Sequence, residues 1–189
     1  MKPVKIICVV FACILLAAAC AKPPTAEMDN ATEAVARAEN DADAVLYAAN
    51  SVARARDALD RMRKEADSKN YDAAKTYAAE AVTAAEKALA DGRAGAIRAR
   101  DEAAELVAGL RPAIEETEQG LRNARPTGLD LAALNRELNE VKGDTDQAEA
   151  ALSDSRYQQA LEKGRSAQAG LSDINRQLTD AVMAASRKK

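Results

Sequence analysis

The sequence predicts an all-α protein, an elongated set of antiparallel helical hairpins packed as a coiled-coil-like bundle. Composition is the first reason: aromatic residues make up 3%, charged residues 30%, and Trp and His are absent. Beyond residue 25 the chain is dominated by Ala, Glu, Asp, Arg and Lys, which favour long helices. Periodicity is the second. Apolar or small residues recur at alternating steps of three and four, which places them on one narrow helix face.

The N-terminus is a separate matter. Lys2 and Lys5 precede an uncharged run of about fourteen residues, "IICVVFACILLAAA", from Ile6 to Ala19. Basic residues, an apolar run and a small-residue closure form the layout of a secretory signal peptide. A bilayer-spanning helix needs about 20 apolar residues, so the run is short for a permanent anchor. Cys20 follows directly. Residues 1–19 are therefore read as a signal peptide and residues 20–25 as an attachment cysteine with a linker. The linker, "AKPPT" after Cys20, holds two consecutive prolines that favour an extended, non-helical spacer.

Residues 26–123 read as a first long helical hairpin. One seam is Val45, Ala48, Val52, Ala55, Leu59, Met62 and Ala66. After the turn residues "DSKN" (Asp67 to Asn70) a second runs through Tyr71, Ala74, Ala78, Val82, Ala85, Leu89, Gly92, Ala96, Ala99, Ala103, Leu106 and Leu110. Its one extra step of four locally unwinds a supercoil. Pro112 is expected to kink or restart the helix. Residues 124–128, "ARPTG", combine Pro and Gly and read as a loop. A second hairpin over 129–189 follows, with seams Leu131, Leu134, Leu138, Val141, Thr145, Ala148, Leu152 and Tyr157, Ala160, Gly164, Ala167, Leu171, Ile174, Leu178. The turn "SDS" (Ser153 to Ser155) lies between them. Asp, Ser and Asn in both turns are expected to cap the helices that follow.

Sliding the chain by 86 residues places Val52 on Leu138, Ala55 on Val141, Tyr71 on Tyr157 and Ala74 on Ala160. Either the two hairpins repeat one plan, or Ala-rich helices align by period alone. The matched tyrosines favour the repeat.

Little chemistry is on offer. With no His there is no imidazole base or imidazole metal ligand. Cys8 and Cys13 lie inside the apolar run and would leave with it, so Cys20 is the one cysteine of the exported chain, unable to form an internal disulfide. Carboxylates are spread along helix faces, often four residues before a base, as in Asp57 with Arg61. "GDTDQAE" (Gly143 to Glu149) superficially suggests a calcium loop but lacks the twelve-residue ligand pattern. Tyr71 and Tyr157 read as rings filling the gap at a turn, with ligand stacking the sharper alternative. No catalytic residue, metal site or cofactor is expected. The first 19 residues carry two of the 27 bases and no acid, so the remaining chain has a net charge of −5. That balance argues against nucleic acid as a partner and against adhesion to anionic lipid through a polybasic patch.

"LAAAC", from Leu16 to Cys20, resembles the lipobox of bacterial lipoproteins, with Ala17 standing where leucine is usual. The resemblance implies that Cys20 receives a diacylglyceryl group and becomes the first residue of the mature chain. Two or more acyl chains give stable anchoring where one gives marginal binding. Ala21 does not resemble the Asp signal that retains lipoproteins in the inner membrane. The C-terminus, "MAASRKK", is similar in outline to murein lipoprotein. That resemblance implies peptidoglycan attachment through Lys189; basic residues complementing a helix C-terminus are the plainer reading.

From Asn30 to about Ala90 the chain resembles a family of uncharacterised bacterial envelope lipoproteins, catalogued as a domain of unknown function. The stretches that carry it are "NATEAVARAENDADAVLYAANSVARARDAL" and "SKNYDAAKTYAAEAVTAAEKAL". The family's Tyr-Ala-Pro step falls on Tyr47-Ala48-Ala49, with Ala49 in place of proline. Its Gly-Asp-Tyr turn falls on Lys69-Asn70-Tyr71. The resemblance implies a periplasmic helical lipoprotein without catalytic residues. The expected function is a non-catalytic structural or protein-interaction module, held by lipid to the outer membrane and facing mainly the periplasm. Its partners would be the membrane and an envelope protein or peptidoglycan, with room for an oligomer. A helical carrier of a lipid or peptide is the alternative, together with the covalent tether through Lys189.

Overall fold

A computed structural model describes residues 22–125 and 130–187. Among them every regular element is an α-helix: α1 (Thr25–Asn40), α2 (Ala42–Tyr47), α3 (Ala49–Asp67), α4 (Tyr71–Ala124), α5 (Ala132–Ser153) and α6 (Tyr157–Ser186). Two compact units divide inside α4, one ending at Gly95 and the other beginning at Ala96.

In the first unit α1, α2, α3 and the opening of α4 enclose a core built largely of alanine. Ala31, Ala34, Ala38, Ala44, Ala55, Ala58, Ala78, Ala81, Ala85 and Ala88 are buried there, with Val35, Leu59 and Met62 as its bulk. Small side chains let helix backbones approach closely, and the packed apolar face is what stabilises helices of this length. Cross-helix pairs fix directions. Glu39 meets Arg56 at 2.6 Å, Ser51 donates to Asp91 at 2.9 Å, and the Arg61 guanidinium lies 5.9 Å from the centre of the Tyr77 ring. Lys75 reaches Glu27 at 4.0 Å. So α1 and α4 run parallel here, with α3 antiparallel to both.

Two interruptions shape this unit. The chain leaves helical geometry at Asp41, whose carboxylate accepts a hydrogen bond from the Ala44 backbone N–H at 2.8 Å and caps α2. It leaves again at Ala48, with φ −132° and ψ 30°. Tyr47-Ala48-Ala49 falls on this second break. With Ala48 as the cap, position 49 is the first helical residue of α3, where proline is well tolerated because its N–H has no helical acceptor. The two breaks also rotate the register. Val45, expected on the seam, is exposed, and Ala44 is buried in its place.

In the second unit α4 from Ala96, α5 and α6 enclose a bulkier core: Leu110, Ile114, Leu121, Leu134, Leu138, Val141, Leu171, Ile174 and Leu178. Buried Thr117 and Thr145 are reconciled with it because each hydroxyl donates to the carbonyl four residues back, at 2.9 Å. The expected seams of α5 and α6 are buried from Leu131 to Ala148 and from Ala160 to Leu178, while Leu152 and Tyr157 are half-buried.

Along α4 the expected seam is displaced. Ala81, Ala88, Gly95 and Val107 are buried where Val82, Leu89, Ala96 and Leu106 were expected, and the latter four are half-buried. A narrow seam suits one partner helix, whereas α4 packs against two in each unit and buries a wider stripe. Nor does the helix restart at Pro112. Pro112 and Ala108, whose carbonyl loses its donor, both lie on the exposed face, so the lost bond does not leave a polar group in the core.

The turns α3–α4 and α5–α6 have the same construction, 86 residues apart. Lys69 and Ser155 adopt φ 61° and 59°. Asn70 N–H donates to the Glu65 carbonyl and Lys69 N–H to that of Ala66; Arg156 N–H donates to Ala151 and Ser155 N–H to Leu152. Both are Schellman closures, which satisfy the last carbonyls of the preceding helix. The expected side-chain caps are not formed there. Asn70 turns its amide to Glu65 at 2.8 Å, and α6 starts at Arg156 without a side-chain cap. Further along, Ser51–Asp91 has its counterpart in Gln177 donating to Glu137 at 3.1 Å. The turn bonds are the same at a fixed offset of 86, while the side-chain pair keeps its positions with donor and acceptor exchanged.

Candidate interaction surfaces

Cys20 and Lys189, the two expected attachment residues, lie outside the described residues. So does most of the loop at 124–128.

Tyr71 and Tyr157 open α4 and α6, and both are half-buried at the turn each follows. Tyr47 packs on Gly95, where any Cβ would collide with the tyrosine's own Cβ. At Gly92 a Cβ would stand 2.5 Å from the Ala44 backbone nitrogen. These glycines therefore admit α2 against α4, a close approach that only a residue without a side chain allows.

The acids of Gly143–Glu149 have other engagements. Asp144 accepts from Ser166 at 2.6 Å and pairs with Lys163 at 3.1 Å. The Ser166 hydroxyl, then Lys163, holds its carboxyl below the usual range. Asp146 and Glu149 grip Arg111 at 2.7 Å each. Hydrogen bonding from Arg111 lowers the Glu149 pKa, and the guanidinium's own value is raised in return. Glu118 is likewise lowered, by Lys142 first and then Arg122. These charges brace α4, α5 and α6 against one another. Among the described residues no group of His, Cys, Asp and Glu is arranged to hold a metal ion, and no helix is long and apolar enough to cross a membrane.

The second unit carries two open grooves between α4 and α6. One, of about 480 Å³, has a floor of Leu106, Leu110, Ala113 and Leu171, with Glu102, Glu105, Arg165 and Gln168 at its rim. An ion pair between Arg165 and Glu102 spans the two helices. The other, of about 350 Å³, lies near the ends of both helices and is lined by Gly120, Asn123, Ala124, Leu178, Thr179, Val182 and Met183. Val182 and Met183 are 38% and 53% exposed. Elsewhere, Val45 and Leu46 on α2 are 50% and 61% exposed. Isolated surface apolar residues need no explanation, but adjacent ones with an open groove mark an interaction surface.

The helix breaks, turn and alanine core of the first unit fall within one recognisable stretch. Residues 26–106 match the family model of a domain of unknown function, DUF4398. The matched domain thus begins in α1, includes both the Ala48 break and the Lys69 turn, and ends within α4. No curated protein and no solved structure matches the chain. The family domain covers less than half of the chain; beyond it, the α5–α6 turn repeats the bonding of the domain's own turn.

Sequence reasoning missed both grooves. The smaller one forms where α4 presents Gly120 under Leu178 of α6, whose Cδ2 would lie 3.1 Å from an added Cβ. A single-helix periodicity cannot show that pairing.

Proposed function

We propose that this chain is a lipid-anchored protein of the bacterial envelope whose helical body serves as a non-catalytic interaction or spacer module. The observation that carries the proposal is the junction at Cys20: two lysines, a short apolar run, three alanines and then the chain's last cysteine. Lipidation gives that thiol a use, whereas an exported chain with one free thiol is left reactive. Exchange of the anchor lipid for water is disfavoured by about 0.8 kcal/mol per buried methylene, so a diacylated cysteine holds the helical body at the membrane. In the body, the ionisable groups engage one another along helix faces, as a structural module requires. Metabolic labelling with an alkyne fatty acid tests the anchor. The wild-type chain should take up label and partition into detergent, and Cys20→Ser should do neither; label retained by the variant refutes the proposal.

A second reading, a carrier of an apolar ligand, is favoured by the groove over Leu106, Leu110 and Leu171, whose volume falls in the range of ligand sites. Native mass spectrometry of protein extracted from membranes would show a bound small molecule, displaced by Ala113→Phe. Unliganded protein in both samples removes this reading.

A further inference from the structure

We infer that a pocket between α4 and α5 binds a phosphoryl group, as a free monoester or as the head of a lipid. It encloses about 200 Å³. Glu118 and Arg122 on α4 and Arg125 just past its end face Asn135, Asn139 and Lys142 on α5, with buried Leu121 and Leu138 completing the lining. The space is below that of a drug-sized ligand site and suits a small anion or head group. Three cations share it with one carboxylate. Glu118 meets Lys142 at 2.5 Å and Arg122 at 3.3 Å, and Lys142 first, then Arg122, keep it ionised. Two positive charges are therefore left over. Among the described residues Arg125 and Asn139 make no hydrogen bond or ion pair of their own.

The first unit shows which charge is missing. At the offset of 86 that relates the two turns, Leu121 and Leu138 fall on Val35 and Val52, both buried in the first core, so the frame is kept. Arg125 falls on Glu39 and Lys142 on Arg56, the two residues that form an ion pair at 2.6 Å. The acid of that pair is thus a base in the second unit. Around it Arg122, Asn135 and Asn139 stand where the first unit has Ala36, Ala49 and Ala53. Like charges gathered in one pocket repel, and a bound anion turns that repulsion into attraction. Guanidinium forks match carboxylate and phosphate alike, but the surplus of two charges selects a dianion. A phosphate monoester carries about −1.5 to −2 near neutrality, whereas a carboxylate carries one charge. The pocket is separate from both α4–α6 grooves, and the inference does not depend on whether Cys20 carries lipid.

Isothermal titration calorimetry of the full-length protein, in an uncharged detergent at constant ionic strength, provides the test. The probes are glycerol 1-phosphate, dihexanoyl phosphatidic acid and acetate. Glycerol 1-phosphate should bind saturably, and acetate at least tenfold more weakly. Arg125→Gln should weaken phosphate binding at least tenfold, whereas Arg93→Gln, which removes an exposed charge from the first unit, should leave it unchanged. Arg125→Glu, which puts back the acid of the Glu39–Arg56 pair, should abolish binding while its thermal melt stays at or above that of the wild type. Phosphatidic acid bound at least tenfold tighter than glycerol 1-phosphate identifies a lipid as the source, and equal affinities identify the free monoester. The inference is overturned if neither phosphate binds saturably or if acetate binds as tightly. It is equally overturned if Arg125→Gln, with an unchanged melt, binds glycerol 1-phosphate as the wild type does.

Discussion

Lys69 and Ser155 hold positive φ at the ends of α3 and α5, a conformation that costs an L-residue roughly 1–2 kcal/mol and glycine almost nothing. Glycine loses more backbone entropy on folding, which returns about 0.5–1 kcal/mol of that difference. Lys69→Gly and Ser155→Gly should therefore each stabilise the protein by about 0.5–1 kcal/mol in urea unfolding, by the same balance. No gain at either site would mean that the side chains support the turn. The turn residues "DSKN" and "SDS" made both turns legible in the sequence. Neither Lys69 nor Ser155 signals its left-handed backbone by residue type, because the closure around each imposes it. The Arg111 pairings make a prediction about pH at the same scale. Glu149 titrates below its ordinary value in the folded state, as do Glu118 and Asp144. A depressed carboxyl contributes stability that is present above its unfolded pKa and lost as pH falls through the folded one. Stability should accordingly hold near neutrality and decline on acidification through and below the ordinary carboxylate range. Arg111→Gln should flatten that decline, as read from melts taken over falling pH; an unchanged slope would place the acid sensitivity elsewhere.

At the scale of the helix, glycine sorts by what an added methyl would meet. At Gly109 on α4 and Gly143 on α5 that methyl would find nothing within 4 Å, so their cost is purely that of glycine in a helix interior. Gly109→Ala and Gly143→Ala should each stabilise by about 0.8–1 kcal/mol, the propensity difference between the two residues. Gly92→Ala should do the reverse and cost about 1–3 kcal/mol, as overpacking does, because the methyl meets the backbone of α2. Equal effects at all three sites, measured by chemical denaturation, would contradict this packing of α2. The helices themselves were legible in the sequence, since alternating three- and four-residue steps survive wherever a helix runs unbroken, as in α5 and α6. They misled at Val45, because the breaks at Asp41 and Ala48 reset the register without any Pro or Gly to announce them. They were displaced along α4 because a helix with two neighbours buries a wider stripe than a seam.

Across the whole chain, the two cores share no residue: one extends from Ala31 to Ala88 and the other from Leu110 to Leu178. Apolar burial is the main source of folding free energy, so separate cores imply separately cooperative units. The sequence foretold two helical hairpins, but a unit boundary inside a continuous helix has no turn residue to signal it, and the grooves depend on which helices become neighbours. Met62 is the largest fully buried side chain of the first core. Met62→Ala should destabilise by about 2–5 kcal/mol through lost transfer energy and the cavity left behind. Hydrogen exchange followed by mass spectrometry should then show faster exchange in peptides from α1, α3 and the opening turns of α4. Peptides around Leu138 and Ile174 should keep wild-type protection, because none of their packing partners has changed. Equal acceleration in both sets would show that α4 couples the two cores into one cooperative unit, and that the shared helix transmits the loss.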